Sequence, residues 1–395
     1  MIELLAPAGD LEKLKYALIY GADAVFIGGN KFSLRARASN FTIDTIKEAT
    51  KFAHALNKKV YVTTNIIPHQ EDLDGLLEYL KELEEASVDA IIAASPLIIK
   101  TALDYTNLEV HLSTQQSAIN TKALEFWKEY GVERIVLGRE LSLVEIARLP
   151  KALIDLEVFI HGGMCMSYSG RCSLSNNLTL RDANRGGCAH SCRWQYHLYD
   201  SDNLISSNYF SMSSKDLMAL EEVPRLIDLK VSSLKIEGRM KSLHYIATVV
   251  KTYRMLIDEY TKTGKIENYD FYLNEILKAE NRLTAAGYLD GSYGPDKQLY
   301  EFLGERPNQA FIGLVTDYDK ESMVATIEQR NYFKVGDTIE VFGPTMKNQA
   351  FILESMQDED DNLIEVARHA QQIVKIKMPF PVEKYAMLRK LLWKE

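Results

Sequence analysis

Along the first 260 residues, short apolar runs alternate with polar turns and amphipathic stretches. The runs are Glu3–Ala6, Ala24–Ile27, Lys59–Thr63, Ala90–Ala93, Glu109–Leu112, Arg134–Leu137, Glu157–Ile160 and Ser233–Ile236. Each is short and apolar enough for a buried strand. The stretches between them, such as Leu11–Tyr20, Ile43–Leu56, Leu73–Ala86 and Thr121–Tyr130, repeat their apolar residues at the spacing of a helix with one buried face. Tyr20-Gly21 and Tyr130-Gly131 place a glycine where a helix ends in a left-handed cap. Strands alternating with helices imply right-handed crossovers and a parallel sheet. Eight such units in about 250 residues predict an α/β fold, a TIM-type (β/α)8-like barrel. A doubly wound open sheet is the second reading, but no G-x-G-x-x-G follows the first run.

The seventh and eighth runs are separated by roughly seventy residues, far more than a usual loop, and all four cysteines of the chain lie in that gap. Loops that follow barrel strands line the active-site face. The insertion at 163–232 is therefore expected over the barrel mouth, and 1–260 forms one unit. A helical connector and a Gly/Pro-punctuated loop follow at 261–307. From 308 to 395 the runs become short and β-branched, as in Phe311–Thr316, Met323–Ile327, Thr338–Phe342 and Ile373–Ile376. They predict a small C-terminal all-β barrel, with Asp358-Glu359-Asp360-Asp361 as a solvated hairpin tip.

Composition narrows the class. With 46% hydrophobic and 26% charged residues the chain reads as ordinary globular protein, and its net charge of −9 argues against a protein that coats nucleic acid non-specifically. A local basic site is still compatible with that sum. No run approaches the ~20 apolar residues of a membrane span, so no membrane association is expected. The start, Met1-Ile2-Glu3-Leu4-Leu5-Ala6-Pro7, lacks a basic region followed by an apolar one, so no signal peptide is expected either. The expected compartment is the cytoplasm, where clustered cysteines bind metal more often than they pair.

Cys165, Cys172, Cys188 and Cys192 are spaced Cys-x6-Cys-x15-Cys-x3-Cys. Four thiolates are a full ligand set for a 4Fe–4S or 2Fe–2S cluster, and equally for structural zinc. Zinc ribbons usually carry two tight pairs, and here only the second pair is tight. The open first pair favours an iron–sulfur cluster, with zinc as the alternative. Between Gly163 and His197 stand Arg171, Arg181, Arg185 and Arg193 against a single carboxylate, Asp182. Such a segment suits a cluster's negative charge or an anionic ligand; the plain alternative is a solvated loop.

Polar residues at the strand ends supply the remaining candidates. The catalytic candidates are His111, His161, Lys235 and Glu237; the substrate-binding candidates are Arg35, Arg37, Asn65, Gln115, Arg139, Arg193 and Arg239. Taken singly each has a structural reading: a strand histidine is often a satisfied core residue, and Lys235 with Glu237 reads as an internal ion pair. Together they describe a cation-rich mouth suited to an anion, because guanidinium forks match carboxylates and phosphates. Neither H-E-x-x-H nor G-x-S-x-G occurs, which weakens a protease reading.

The stretch Glu157-Val158-Phe159-Ile160-His161-Gly162-Gly163-Met164-Cys165, followed by Gly170-Arg171-Cys172-Ser173-Leu174-Ser175, closely resembles the signature of the peptidase U32 (collagenase-like) family. Gly163 stands where that pattern usually has Ser or Ala. Glu3-Leu4-Leu5-Ala6-Pro7-Ala8-Gly9, Ser33-Leu34-Arg35-Ala36-Arg37, His111-Leu112-Ser113-Thr114-Gln115 and Lys235-Ile236-Glu237-Gly238-Arg239 are similar to it as well. Within the family the chain most resembles the branch that hydroxylates the tRNA wobble uridine at C5. Sister branches act on a ribosomal RNA cytidine or a ubiquinone precursor. The resemblance implies oxygen-independent hydroxylation on an iron–sulfur cluster held by Cys165, Cys172, Cys188 and Cys192, with prephenate as co-substrate. The partners it implies are tRNA, that small anionic co-substrate, and a partner protein or paralogue of the same family. The rival functions are a collagenase-like peptidase and a zinc-stabilised RNA-binding or assembly factor.

Overall fold

The computed structural model describes residues 2–34, 40–279, 282–292, 294–300 and 309–391. Eight strands form the central barrel: β1 (Glu3–Pro7), β2 (Ala24–Gly28), β3 (Lys59–Thr64), β4 (Ala90–Ala93), β5 (Glu109–Leu112), β6 (Arg134–Val136), β7 (Asp155–Gly162) and β8 (Ser233–Ile236). Each pairs in parallel with the next, and β8 pairs with both β7 and β1, which closes the ring. The expected TIM-type barrel is therefore the observed one.

Alternation along each strand sorts the side chains into two cores. Leu5, Ala24, Phe26, Tyr61, Ala90 and Ile92 pack inside the barrel. Leu4, Val25, Ile27, Val60, Val62 and Ile91 pack outward under the helices. Helix starts are fixed by side-chain caps. Asp10, Thr42, Asn120, Ser142 and Ser242 each accept from the backbone N–H three residues on. Each such cap contributes about 1 kcal/mol and so defines where the preceding loop ends.

Between β7 and β8 the chain forms short turns and one brief helix, Leu174–Thr179, before a strand at Asp216–Met218 runs antiparallel to β7. This segment is pinned across the mouth. Ile67 N–H donates to Asn184 O at 3.0 Å, and Arg185 grips Asp72 with two bonds of 2.8 Å.

Beyond the connector, an eight-stranded antiparallel sheet spans Gln309–Asp319 to Met387–Leu391. It curls into a half-barrel: among the described residues no pairing joins its edge strands, Gln349–Ile352 and Leu363–Ile364. The sheet has its own apolar core, and it contributes Leu314, Phe342 and Met387 to the core of the (β/α) barrel. Tyr20 Oη donates to Tyr385 O at 2.8 Å across this junction.

Candidate active site at the barrel mouth

A ladder of charge runs up the barrel interior. Arg134 donates to Glu3 at 2.6 Å and to Glu157 at 3.4 Å, and Glu157 accepts from Lys235 at 2.6 Å. Glu157 is wholly buried and Lys235 nearly so. Burial opposes ionisation of Glu157, but the Lys235 and Arg134 charges outweigh it and hold the carboxyl below the usual glutamate range. The Lys235 ammonium lies 4.6 Å from the Phe26 ring centre and 5.3 Å from that of Phe159, a cation between aromatic faces. The partner of Lys235 is thus Glu157, not the Glu237 suggested by alternation within β8.

Above this floor opens a cavity of about 430 Å³ between the barrel mouth and the cysteine segment. Its wall brings together Asn65, Gln115, Arg139, Arg193, Lys235, Glu237 and Arg239 with all four cysteines, so eleven of the sequence candidates meet in one space. Asn65 donates to Gln115 Oε1 at 3.1 Å, and Ser113 Oγ donates to the same oxygen at 2.9 Å. Arg139 reaches Gly163 O at 2.9 Å and lies 4.8 Å from the Phe159 ring centre. Arg239 donates to Ser33 Oγ at 3.2 Å and Thr63 Oγ1 at 3.4 Å. Gly28 makes this reach feasible, since a Cβ there would fall 1.6 Å from Arg239 Nη1. Arg193, Lys241 and Arg282, from three separate segments, approach buried Asp216 at 3.4, 3.6 and 3.6 Å.

The cysteines are free thiols; Cys188 is exposed and the others are half-buried. Burial, and next the neighbouring Cys165, push the Cys192 thiol up, with Cys188 and Cys172 acting in the same direction. All four line the same cavity. As placed, no three His, Cys, Asp or Glu side chains among the described residues close into a metal-ligand set. The donor chemistry still fits a thiolate-held group: four soft sulfurs, with arginines nearby to offset their charge.

Two candidates stand elsewhere. His111 points into the barrel but sits below the cavity, with Nε2 2.8 Å from Glu109 and its ring 4.7 Å from that of Tyr61. Burial pushes its imidazole down, against the Glu109 bond. Alternation along β5 fixes its face but not its depth. His161 shares parity with Glu157 and Phe159, yet it is not part of the cavity wall. The β7–β8 register shifts between Lys235 and Ile236, so Ile236 faces His161. The ring then packs beside Tyr245 and Tyr253, with Nδ1 3.2 Å from Tyr253 Oη. Arg35 and Arg37 lie outside the described residues.

Sequence reasoning missed Glu157, Asp216, Lys241 and Arg282 as members of the site. A glutamate inside an apolar strand was a usable signal for Glu157; only the tertiary fold brings Arg282 to the cavity.

Comparison with known proteins bears on this arrangement. The model of peptidase family U32 matches residues 9–299, and that of the peptidase family U32 C-terminal domain matches residues 307–389. The tRNA hydroxylation protein P1 of Bacillus subtilis (strain 168) is 49% identical over 400 residues, covering 98% of this chain and 94% of its own length. The tRNA hydroxylation protein P of Escherichia coli (strain K12) is 34% identical over 439 residues, covering 98% and 96%. The 23S rRNA 5-hydroxycytidine C2501 synthase of the same organism is 38% identical over 259 residues, covering 65% of this chain and 39% of its own. A family model spanning nearly three hundred residues, joined by relatives matched from end to end, establishes that the chain belongs to peptidase family U32.

Proposed function

We propose that this protein is an RNA-modifying enzyme that hydroxylates C5 of the tRNA wobble uridine without molecular oxygen. The observation that carries the reading is the cavity itself, which joins four thiols to a cationic wall at the mouth of a barrel. The full-length relatives are named for tRNA hydroxylation, and the partial one for making 5-hydroxycytidine in rRNA.

Exchanging a C5 hydrogen for hydroxyl removes two electrons from the base, so an oxygen donor and a two-electron acceptor must meet it in the cavity. Cys165, Cys172, Cys188 and Cys192 would hold an iron–sulfur cluster, which supplies redox capacity at the mouth when bound. Lys235 on the floor and Arg139 and Arg239 on the wall fit the carboxylates of a co-substrate of the prephenate class. Phe26, Ile92 and Phe159 pack against its apolar body and exclude water.

The test joins two measurements. Protein purified without air is expected to contain iron, and each Cys→Ala change is expected to lower it. A deletion strain free of paralogues is expected to lose 5-hydroxyuridine-derived nucleosides from its tRNA by mass spectrometry, and the wild-type gene should restore them. Normal nucleosides in that strain would overturn the reading. Stoichiometric zinc without iron would replace the cluster by a structural metal.

A further inference from the structure

The cavity has the size of a small-molecule site, so a polynucleotide cannot enter it as a chain. If the substrate is RNA, the inference rests on that reading: one base turns in while its neighbours stay outside on whatever surrounds the opening. The surroundings are unusual for this acidic chain. Met166 and Met240 belong to the cavity wall yet are 46% and 57% exposed. Tyr168 follows wall residue Ser167 and is 55% exposed; Trp194 follows wall residue Arg193 and is 43% exposed. Arg171, between wall residues Gly170 and Cys172, is exposed and bonds Gln116 Oε1 at 3.2 Å through one nitrogen.

We propose that Tyr168, Trp194 and Arg171, with the two exposed methionines of the cavity wall, form the platform that holds the nucleotides flanking the reacting base. Aromatic faces stack on any base, and a guanidinium fork takes the phosphate between two of them. Charge favours RNA over a protein surface as the occupant: from Gly163 to His197 the only carboxylate among four arginines is Asp182, and although Arg185 is held by Asp72 and Arg193 faces Asp216, the exposed Arg171 bonds the neutral Gln116. The opposite end of the barrel lacks this character. Its surface hollow is lined by Glu109, Glu133 and Asp155 together with Lys128 and Lys151, a mixture that repels as much phosphate as it attracts.

The test uses the full chain, purified without air, and a fluorescent ten-nucleotide oligouridine as probe. Tyr168→Ala and Trp194→Ala should each weaken binding at least about 5-fold, the lower end of what a lost stack costs. Arg171→Gln should flatten the log–log salt dependence by about 0.7, one single-strand phosphate contact. Tyr105→Ala, a 61% exposed aromatic at the far end of helix Pro96–Tyr105, is the control and should bind as wild type does. All four positions are on the surface, so thermal midpoints should stay within about 2 °C. Wild-type binding retained by the three rim variants overturns the platform while leaving the proposed activity standing. Loss of self-association in those variants, with RNA binding unchanged, makes the rim a contact between copies and equally overturns it. A wild-type protein that binds no oligouridine and modifies no tRNA overturns the functional reading beneath it.

Discussion

Replacing Glu157 by glutamine removes one charge from the middle of the barrel ladder and almost no volume. Lys235 and Arg134 would then share the interior with a single remaining close carboxylate, Glu3, which lies 2.6 Å from Arg134. Asp155 approaches Arg134 only at 3.9 Å and is more than half exposed. Breaking one member out of a buried ion network typically costs about 3–5 kcal/mol, because the surviving charges stay desolvated. For a unit of this size that corresponds to a fall in melting temperature of roughly 6–20 °C. The double change Glu157→Gln with Lys235→Met removes both charges, so it should lose at least about 2 kcal/mol less than the two single changes added together. The pH dependence has a definite sign. Glu157 is held below its ordinary range, so its contribution is complete above the unfolded glutamate value and is lost as pH falls through the lowered folded value. The gap between wild type and Glu157→Gln should therefore stay constant between pH 6 and 8. Circular-dichroism melts of the four proteins, run without air, decide the matter. A single variant melting within 2 °C of wild type, or strict additivity in the double, refutes the ladder as a coupled network.

Two further changes test the frame around the site. His244 is buried between the barrel and the C-terminal sheet, its ring 5.5 Å from Phe311, and burial, with Arg389 next, lowers its pKa to about 3. The unfolded chain takes up this proton below about pH 6.5 and the folded one does not, so stability drops by up to about 1.4 kcal/mol per pH unit from there toward pH 3. His244→Phe should remove that part of the slope in urea titrations at pH 4, 5 and 6; an unchanged slope assigns acid sensitivity elsewhere. Gly162 ends β7 at φ +103°, and a Cβ there would lie 2.1 Å from Glu237 O. Gly162→Ala is therefore expected to lower the melting temperature by more than about 10 °C or to abolish soluble expression, since both backbone strain and a clash with main chain oppose it; a melt within 3 °C of wild type would contradict the observed crossing of β7 and the loop after β8.

Much of this was legible in the sequence, and the failures have physical causes. Eight apolar runs reported eight strands because a parallel barrel buries both faces of each, which leaves a signal that survives without tertiary information. The cavity wall was legible to the extent that polar residues just beyond a strand must face the mouth: Asn65, Gln115, Arg139 and Arg239 follow that rule. His111 escaped it because alternation fixes a face and not a height along the axis. His161 escaped it because one shifted residue in the β7–β8 register reverses parity, and no local pattern announces such a shift. Arg282 and Asp216 are joined only by the fold, sixty-odd residues apart in the chain.

The ladder also limits what Lys235 can do. A general base must give up its charge and take it back during each cycle. Glu157 is ionised although buried because Lys235, first, and Arg134, second, are charged beside it. Discharging Lys235 would strip that carboxylate of its chief support in a space where water cannot replace it. The Lys235 nitrogen lies between the rings of Phe26 and Phe159 on the cavity floor. A fixed cation flanked by apolar rings binds and orients one end of an anionic ligand.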